Sequence, residues 1–193
     1  MDLPIYELLI DTEPDGQHEV SAVAFVDAPA IERNFFAFKE AKPLQFSAIS
    51  EDEKVVIGPA MVPDMPIYRQ DSEMGEYFVR FSKDTIKAIA EKFFANDYHK
   101  SANIMHQSDK PVEGVVFFQS FVKDEAKGVQ GLAGDYPDGT WFLGAKVNNE
   151  SLWSDIKDGK LKGFSVEGLF KYKRKAMTPE QAYRAIEKII SAL

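Results

Sequence analysis

The chain has 193 residues, 45% of them hydrophobic and 28% charged; that is the balance of a globular protein, and one long enough to bury roughly 70% of the surface its unfolded chain would expose. A formal net charge of −8 speaks against a protein that tracks nucleic acid, which needs a basic face. No apolar run approaches the roughly 20 residues of a membrane span, and the start, MDLPIYELLIDTEPDG, lacks the basic and apolar regions of a signal peptide, so the expectation is a soluble protein that stays in the cell that made it.

Residues 3–11 read as a strand ended by the turn formers Glu13, Pro14, Asp15 and Gly16. Residues 19–26 (EVSAVAFV) are a second strand, stopped by Asp27-Ala28-Pro29-Ala30. Residues 39–54 read as a loose connection. Residues 55–61 (VVIGPAM) are apolar with a Gly-Pro break, and the proline-rich stretch after them is no central strand. Residues 76–81 (EYFVRF) read as the return strand of a hairpin.

The period then changes. Ser82 is placed to N-cap a helix whose apolar face is Ile86, Ile89, Ala90 and Phe93. Residues 103–107, 112–122 and 140–147 read as strands. A short helix follows, capped by Asn149, with Leu152, Trp153 and Ile156 buried and Gly159 just past its end. Residues 160–172 read as one strand, with Phe164, Val166 and Phe170 on one face and Gly163, Ser165 and Glu167 on the other. The basic residues Lys171, Lys173, Arg174 and Lys175 read as a solvated strand end. Thr178-Pro179-Glu180-Gln181 has capping-box order and opens a last amphipathic helix. About eight strands and three helices, the helices scattered between strands, predict an α+β fold around an antiparallel sheet or barrel. Fifteen Phe predict an aromatic core.

There is no Gly-rich phosphate loop, GxSxG elbow or HExxH. With no Cys, disulfides and thiolate chemistry are excluded. Histidine chemistry falls to His18, His99 or His106. His18 follows a turn and His99 a helix, both expected to be exposed.

One region is more specific. Residues 102–124 read ANIMHQSDKPVEGVVFFQSFVKD, and residues 137–173 read PDGTWFLGAKVNNESLWSDIKDGKLKGFSVEGLFKYK. A His stands at the end of a strand, an acidic-polar turn follows, and a helix of the form W-x-x-I-K-x-G leads into K-G-F-S-V-E-G. The order of these motifs resembles the phage prohead maturation proteases, most closely the XkdF-like branch of phage serine proteases. Herpesvirus assemblins are their distant structural relatives. The strings VIGPAMVPDMPIYR, GEYFVRFS and VSAVAFVDAPAIE extend the resemblance over most of residues 18–173.

The resemblance implies an assemblin-like antiparallel β-barrel or strongly bent sheet with about three flanking helices. It implies a single protease domain over residues 1–193: N-terminal strands 1–38, a connection at about 39–54, a catalytic core 55–175 and a C-terminal helix 178–193. The activity implied is that of a serine endopeptidase cleaving scaffold and major capsid proteins inside the prohead, in the host cytoplasm. It needs no cofactor, nucleic acid or membrane, and a homodimer through the last helix is the family's alternative to packing it on its own domain.

Carried over, Ser165 is the nucleophile and His106 the general base. A serine hydroxyl needs a base within reach to take its proton, and flanking Gly163 and Gly168 leave room for a substrate backbone. The acid is open. The family's late acidic strand, E-V-S-L-V-x-x-P-A-N, has no counterpart after Ser165, but a similar string stands at residues 19–30. That suggests a permuted order with Glu19 as the acid, although counting back from Pro29 puts Ala22 at the family's Glu position. Glu167, two residues from Ser165 on the same strand face, is the rival. A dyad whose imidazole is held by water or a backbone carbonyl, or by Gln119, is a further arrangement. The alternative functions are an inactive scaffold or capsid-associated protein keeping the protease fold, and an unrelated sheet-based binding module.

Overall fold

The computed structural model describes residues 3–13, 16–27, 45–46, 48–107, 109, 111–132 and 136–174. Among these the protein is α+β, built mostly of strands. In chain order they are β1 (Ile5–Leu9), β2 (Val20–Val26), β3 (Ala48–Ser50), β4 (Val55–Met61), β5 (Ile67–Asp71), β6 (Gly75–Arg80), α1 (Lys83–Ala95), β7 (Ala102–Ile104), β8 (Val115–Val122), β9 (Trp141–Val147), α2 (Glu150–Lys157), β10 (Gly163–Gly168) and β11 (Lys171–Arg174). They form three sheets with strand orders β11-β1-β6-β5, β10-β2-β7 and β3-β4-β9-β8. The barrel expectation is corrected accordingly: among the described residues no sheet closes on itself. The expected third helix, at 178–193, lies outside the described residues.

A bent antiparallel ribbon ties two of the sheets together. β1 pairs with β11 and β2 with β10, both antiparallel. The one long strand read from 160 to 172 therefore breaks at Leu169-Phe170, because its two halves serve different sheets. At the bend Leu169 N–H donates to Glu19 O at 3.0 Å, and the register shifts between Glu167 and Gly168. Gly168 is obligatory here: a Cβ on it would lie 2.8 Å from Val20 Cα, so any larger residue pushes β10 off β2.

β3 lies inside the stretch read as a loose connection, and β5 is the outgoing arm of the hairpin whose return arm is β6. The hairpin turn is closed by Asp71, whose Oδ1 accepts from Glu73 N at 2.8 Å and Met74 N at 2.6 Å. The helix ends follow their caps. Ser82 Oγ accepts from Thr85 N at 3.3 Å, Asn149 Oδ1 accepts from Leu152 N at 3.0 Å, and Gly159 takes a left-handed φ of 68° after α2.

The core is aromatic, as the composition predicts. Phe25, Phe93, Trp141, Phe142 and Phe164 are less than 2% exposed. Phe164 packs edge-on to Phe46, Phe25 and Phe117 at 5.0, 5.4 and 5.9 Å between ring centroids. Within β8 only every other residue from Val115 to Phe118 turns inward: Phe117 is buried, while Val116 and Phe118 are exposed.

Candidate active site

The three-stranded sheet carries the site. Its register sets Ser165 (β10), Ala24 (β2) and Asn103 (β7) in one row across the strands. Directly opposed residues share a face, and side chains two apart along a strand share it too. Glu167, opposite Ala22, is therefore on the face of Ser165. β2 places only methyl groups, Ala22 and Ala24, between the polar side chains of the outer strands. Ser165 is 6% exposed and Asn103 3% exposed.

His106 reaches this face from a strained turn. β7 ends at Ile104, not at residue 107 as the sequence pattern suggests. Met105 and His106 follow with φ of 54° and 60°, a left-handed pair that is uncommon outside glycine and unfavourable for Met, while His is among the residues found there more often. Three contacts hold the turn. Met105 N–H donates to Phe25 O at 3.0 Å, Gln107 N–H donates to Ile104 O at 3.1 Å, and Asp27 N–H donates to Met105 Sδ at 3.5 Å. The turn swings the imidazole back over the sheet, where His106 Nδ1 lies 3.2 Å from Glu167 Oε1. Asn103 Nδ2 donates to the same oxygen. The Glu167 side chain is 18% exposed and that of His106 44%. Ser165, His106 and Glu167 all line one cavity of about 430 Å³.

The chemistry of this arrangement follows from which ring nitrogen is engaged. A carboxylate at Nδ1 favours the tautomer that carries its proton there, leaving Nε2 as an acceptor. Such a base activates a hydroxyl that comes within hydrogen-bond reach of Nε2, and Ser165 stands on the same cavity wall.

Glu19 is not brought to His106; among the two acids read from the sequence it is Glu167 that stands there. Glu19 precedes β2, at the bend opposite Leu169, past the end of the Ser165 row. Its carboxylate is engaged by Lys92 Nζ at 3.0 Å, Asn96 Nδ2 at 3.1 Å and Tyr98 OH. Burial works to raise its pKa, but the hydrogen bonds from Tyr98 and Lys92 outweigh that and hold it below the ordinary value of 4.5. Gln119 is also elsewhere, opposite Gly144 on the β8–β9 pair. His99 is half-buried, not exposed, stacked on Phe94 at 5.0 Å. His18 Nδ1 pairs with Asp11 Oδ2 at 2.9 Å. Asn103 was not singled out from the sequence; nothing in a single Asn before an apolar pair distinguishes it, and only the cross-strand register brings it to Glu167.

Among the described residues no cluster of three His, Asp or Glu could hold a metal ion, and no helix is long and apolar enough to cross a membrane. No curated protein and no solved structure matches the chain. The family model described as "Putative phage serine protease XkdF" matches residues 44–173, more than half of the sequence and the whole stretch from β4 to Lys173, His106 and Ser165 included. The chain belongs to this XkdF family of phage serine proteases.

Proposed function

We propose that this protein is a serine endopeptidase that cleaves scaffold and major capsid proteins during prohead maturation, inside the particle in the host cytoplasm, and that its sheets are a variant of the assemblin-like arrangement. The observation that carries the reading is the contact of His106 Nδ1 with Glu167, two residues from Ser165 on a shared strand face and cavity. Family membership supports the peptidase class.

In this mechanism His106 Nε2 takes the proton of Ser165 as Oγ attacks the scissile carbonyl, forming a C–O bond and a tetrahedral oxyanion. Collapse breaks the C–N bond, and the imidazolium gives its proton to the leaving amine. Water, deprotonated by the same nitrogen, then releases the acyl group and returns the proton to Oγ. Glu167 stabilises the imidazolium and holds the ring, and Asn103 holds Glu167. The inactive-scaffold alternative drew on Gln119 and the lack of a late acid; Glu167 stands beside His106 as such an acid, and Gln119 lies opposite Gly144.

The test is Ser165→Ala. Co-expressed capsid and scaffold proteins should remain unprocessed, and a fluorophosphonate should label the wild type but not the variant. Melting should change little, since only one oxygen is lost from the cavity wall. Processing that survives in Ser165→Ala assigns the nucleophile elsewhere.

A further inference from the structure

Most of the residues lining the cavity beside Ser165 are apolar. Its wall is assembled from separated parts of the chain: Leu8 on β1, Met61 and Met65 at and after the end of β4, Ile67 on β5, Phe81 after β6, and Phe170 between β10 and β11. Phe170 is fixed by an edge-on contact with Phe81 at 5.1 Å. At about 430 Å³ the space falls in the range of sites that bury small ligands, roughly 300–1,000 Å³. Two of the lining residues are methionines, whose unbranched side chains adapt to differently shaped guests.

We propose that this cavity takes a large apolar side chain of the residue whose carbonyl Ser165 attacks, so that the enzyme cuts after Leu, Met or Phe. The inference rests on the protease reading above. It is the attacked residue, not a more distant one, because its side chain branches from the atom next to the carbonyl, and the nucleophile itself stands in the cavity wall. The charged groups on the lining do not offer a better guest. Glu167 is engaged by His106 and Asn103, so a lysine or arginine would compete with the base for its carboxylate. Arg69 also lines the cavity, from the exposed part of β5, where its Nη1 donates to Tyr68 O at 2.9 Å. An acidic guest would have to leave water to pair with this exposed guanidinium, and pairs of exposed charges are worth little.

The experiment uses the full chain and a set of peptides identical except for Leu, Phe, Ala, Asp or Lys at the cleaved position. kcat/KM for Leu or Phe should exceed that for Ala at least 10-fold, since about one methylene in an apolar pocket already separates substrates by roughly 10–200-fold. Asp and Lys should be the poorest. Met65→Lys should reverse the order of Asp and Leu, a gain that a misfolded variant cannot give. A fluorophosphonate is applied in parallel to separate the two readings. Labelling of Ser165 together with a flat profile, or with a preference for Asp or Lys, overturns the apolar pocket and leaves the protease standing. Neither labelling nor cleavage of any peptide overturns both.

Discussion

At the scale of single residues, the site turns on which carboxylate faces the imidazole. Glu167→Gln keeps the shape but removes the charge that stabilises the imidazolium. In triads of this kind the acid's loss costs several orders of magnitude in kcat. We expect at least a 100-fold fall in kcat with KM little changed, read by peptide hydrolysis. Asn103→Leu, which frees Glu167 from its second tether, should fall in the same direction by a smaller factor. Equal activity in Glu167→Gln would remove the acid from the mechanism. The residues were only partly legible in the sequence. Ser165 and His106 were nameable through the family resemblance, and a strand's two-residue period put Glu167 on the face of Ser165 without any tertiary information. The choice between Glu19 and Glu167 was not, because a motif string fixes order along the chain but not where a strand bends. The backbone at Met105-His106 was hidden too, since an apolar Met in the first position gives no sign of a left-handed turn.

At the scale of elements, Glu19 has a different task. It ties the start of β2 to the end of α1 through Lys92, Asn96 and Tyr98. Its carboxyl is held below the ordinary 4.5, so the stabilisation is fully present above the unfolded pKa and is lost as pH falls through the folded one. Glu19→Gln should therefore cost about 1.5–3 kcal/mol at neutral pH. The difference from wild type should shrink as pH falls below 4.5, measured by urea unfolding at both ends. An unchanged difference in acid would mean that the charge contributes nothing. The core makes the larger demand. Phe164 is 1% exposed and touches three other rings, so Phe164→Ala should cost about 3–5 kcal/mol by opening a cavity the aromatic cluster cannot refill. A melting temperature within a degree of wild type would show that the cluster collapses freely. Elements with their own local signals, such as α1, α2 and the β2 strand, were legible from caps and apolar runs. β3 and β5 were not: β3 is three residues long, and β5 (IYRQD) is an edge strand whose last three residues are exposed.

At the scale of the whole molecule, the family match begins at residue 44, yet the sheet that carries the site has β2 at its centre. β2 is the strand to which both the Ser165 strand and the Asn103 strand are hydrogen-bonded. A chain beginning at residue 44 should therefore lack activity and expose a wide apolar face. Adding residues 1–43 as a separate peptide should restore part of the hydrolysis, measured on the same peptide substrate. Full activity in the shortened chain would mean that another segment replaces β2.

The same β2–β10 pairing governs when the enzyme comes into being. Contacts between parts of the chain so far apart in sequence are slow to form, and synthesis runs from the N-terminus at about 5–20 residues per second. On the ribosome β2 and the turn carrying His106 are made first and wait with the Ser165 strand missing. Not until residue 168 has been made and β10 has closed against β2 do His106, Glu167 and Ser165 come to line one cavity. On the proposed reading, cutting therefore waits until nearly all of the described chain exists.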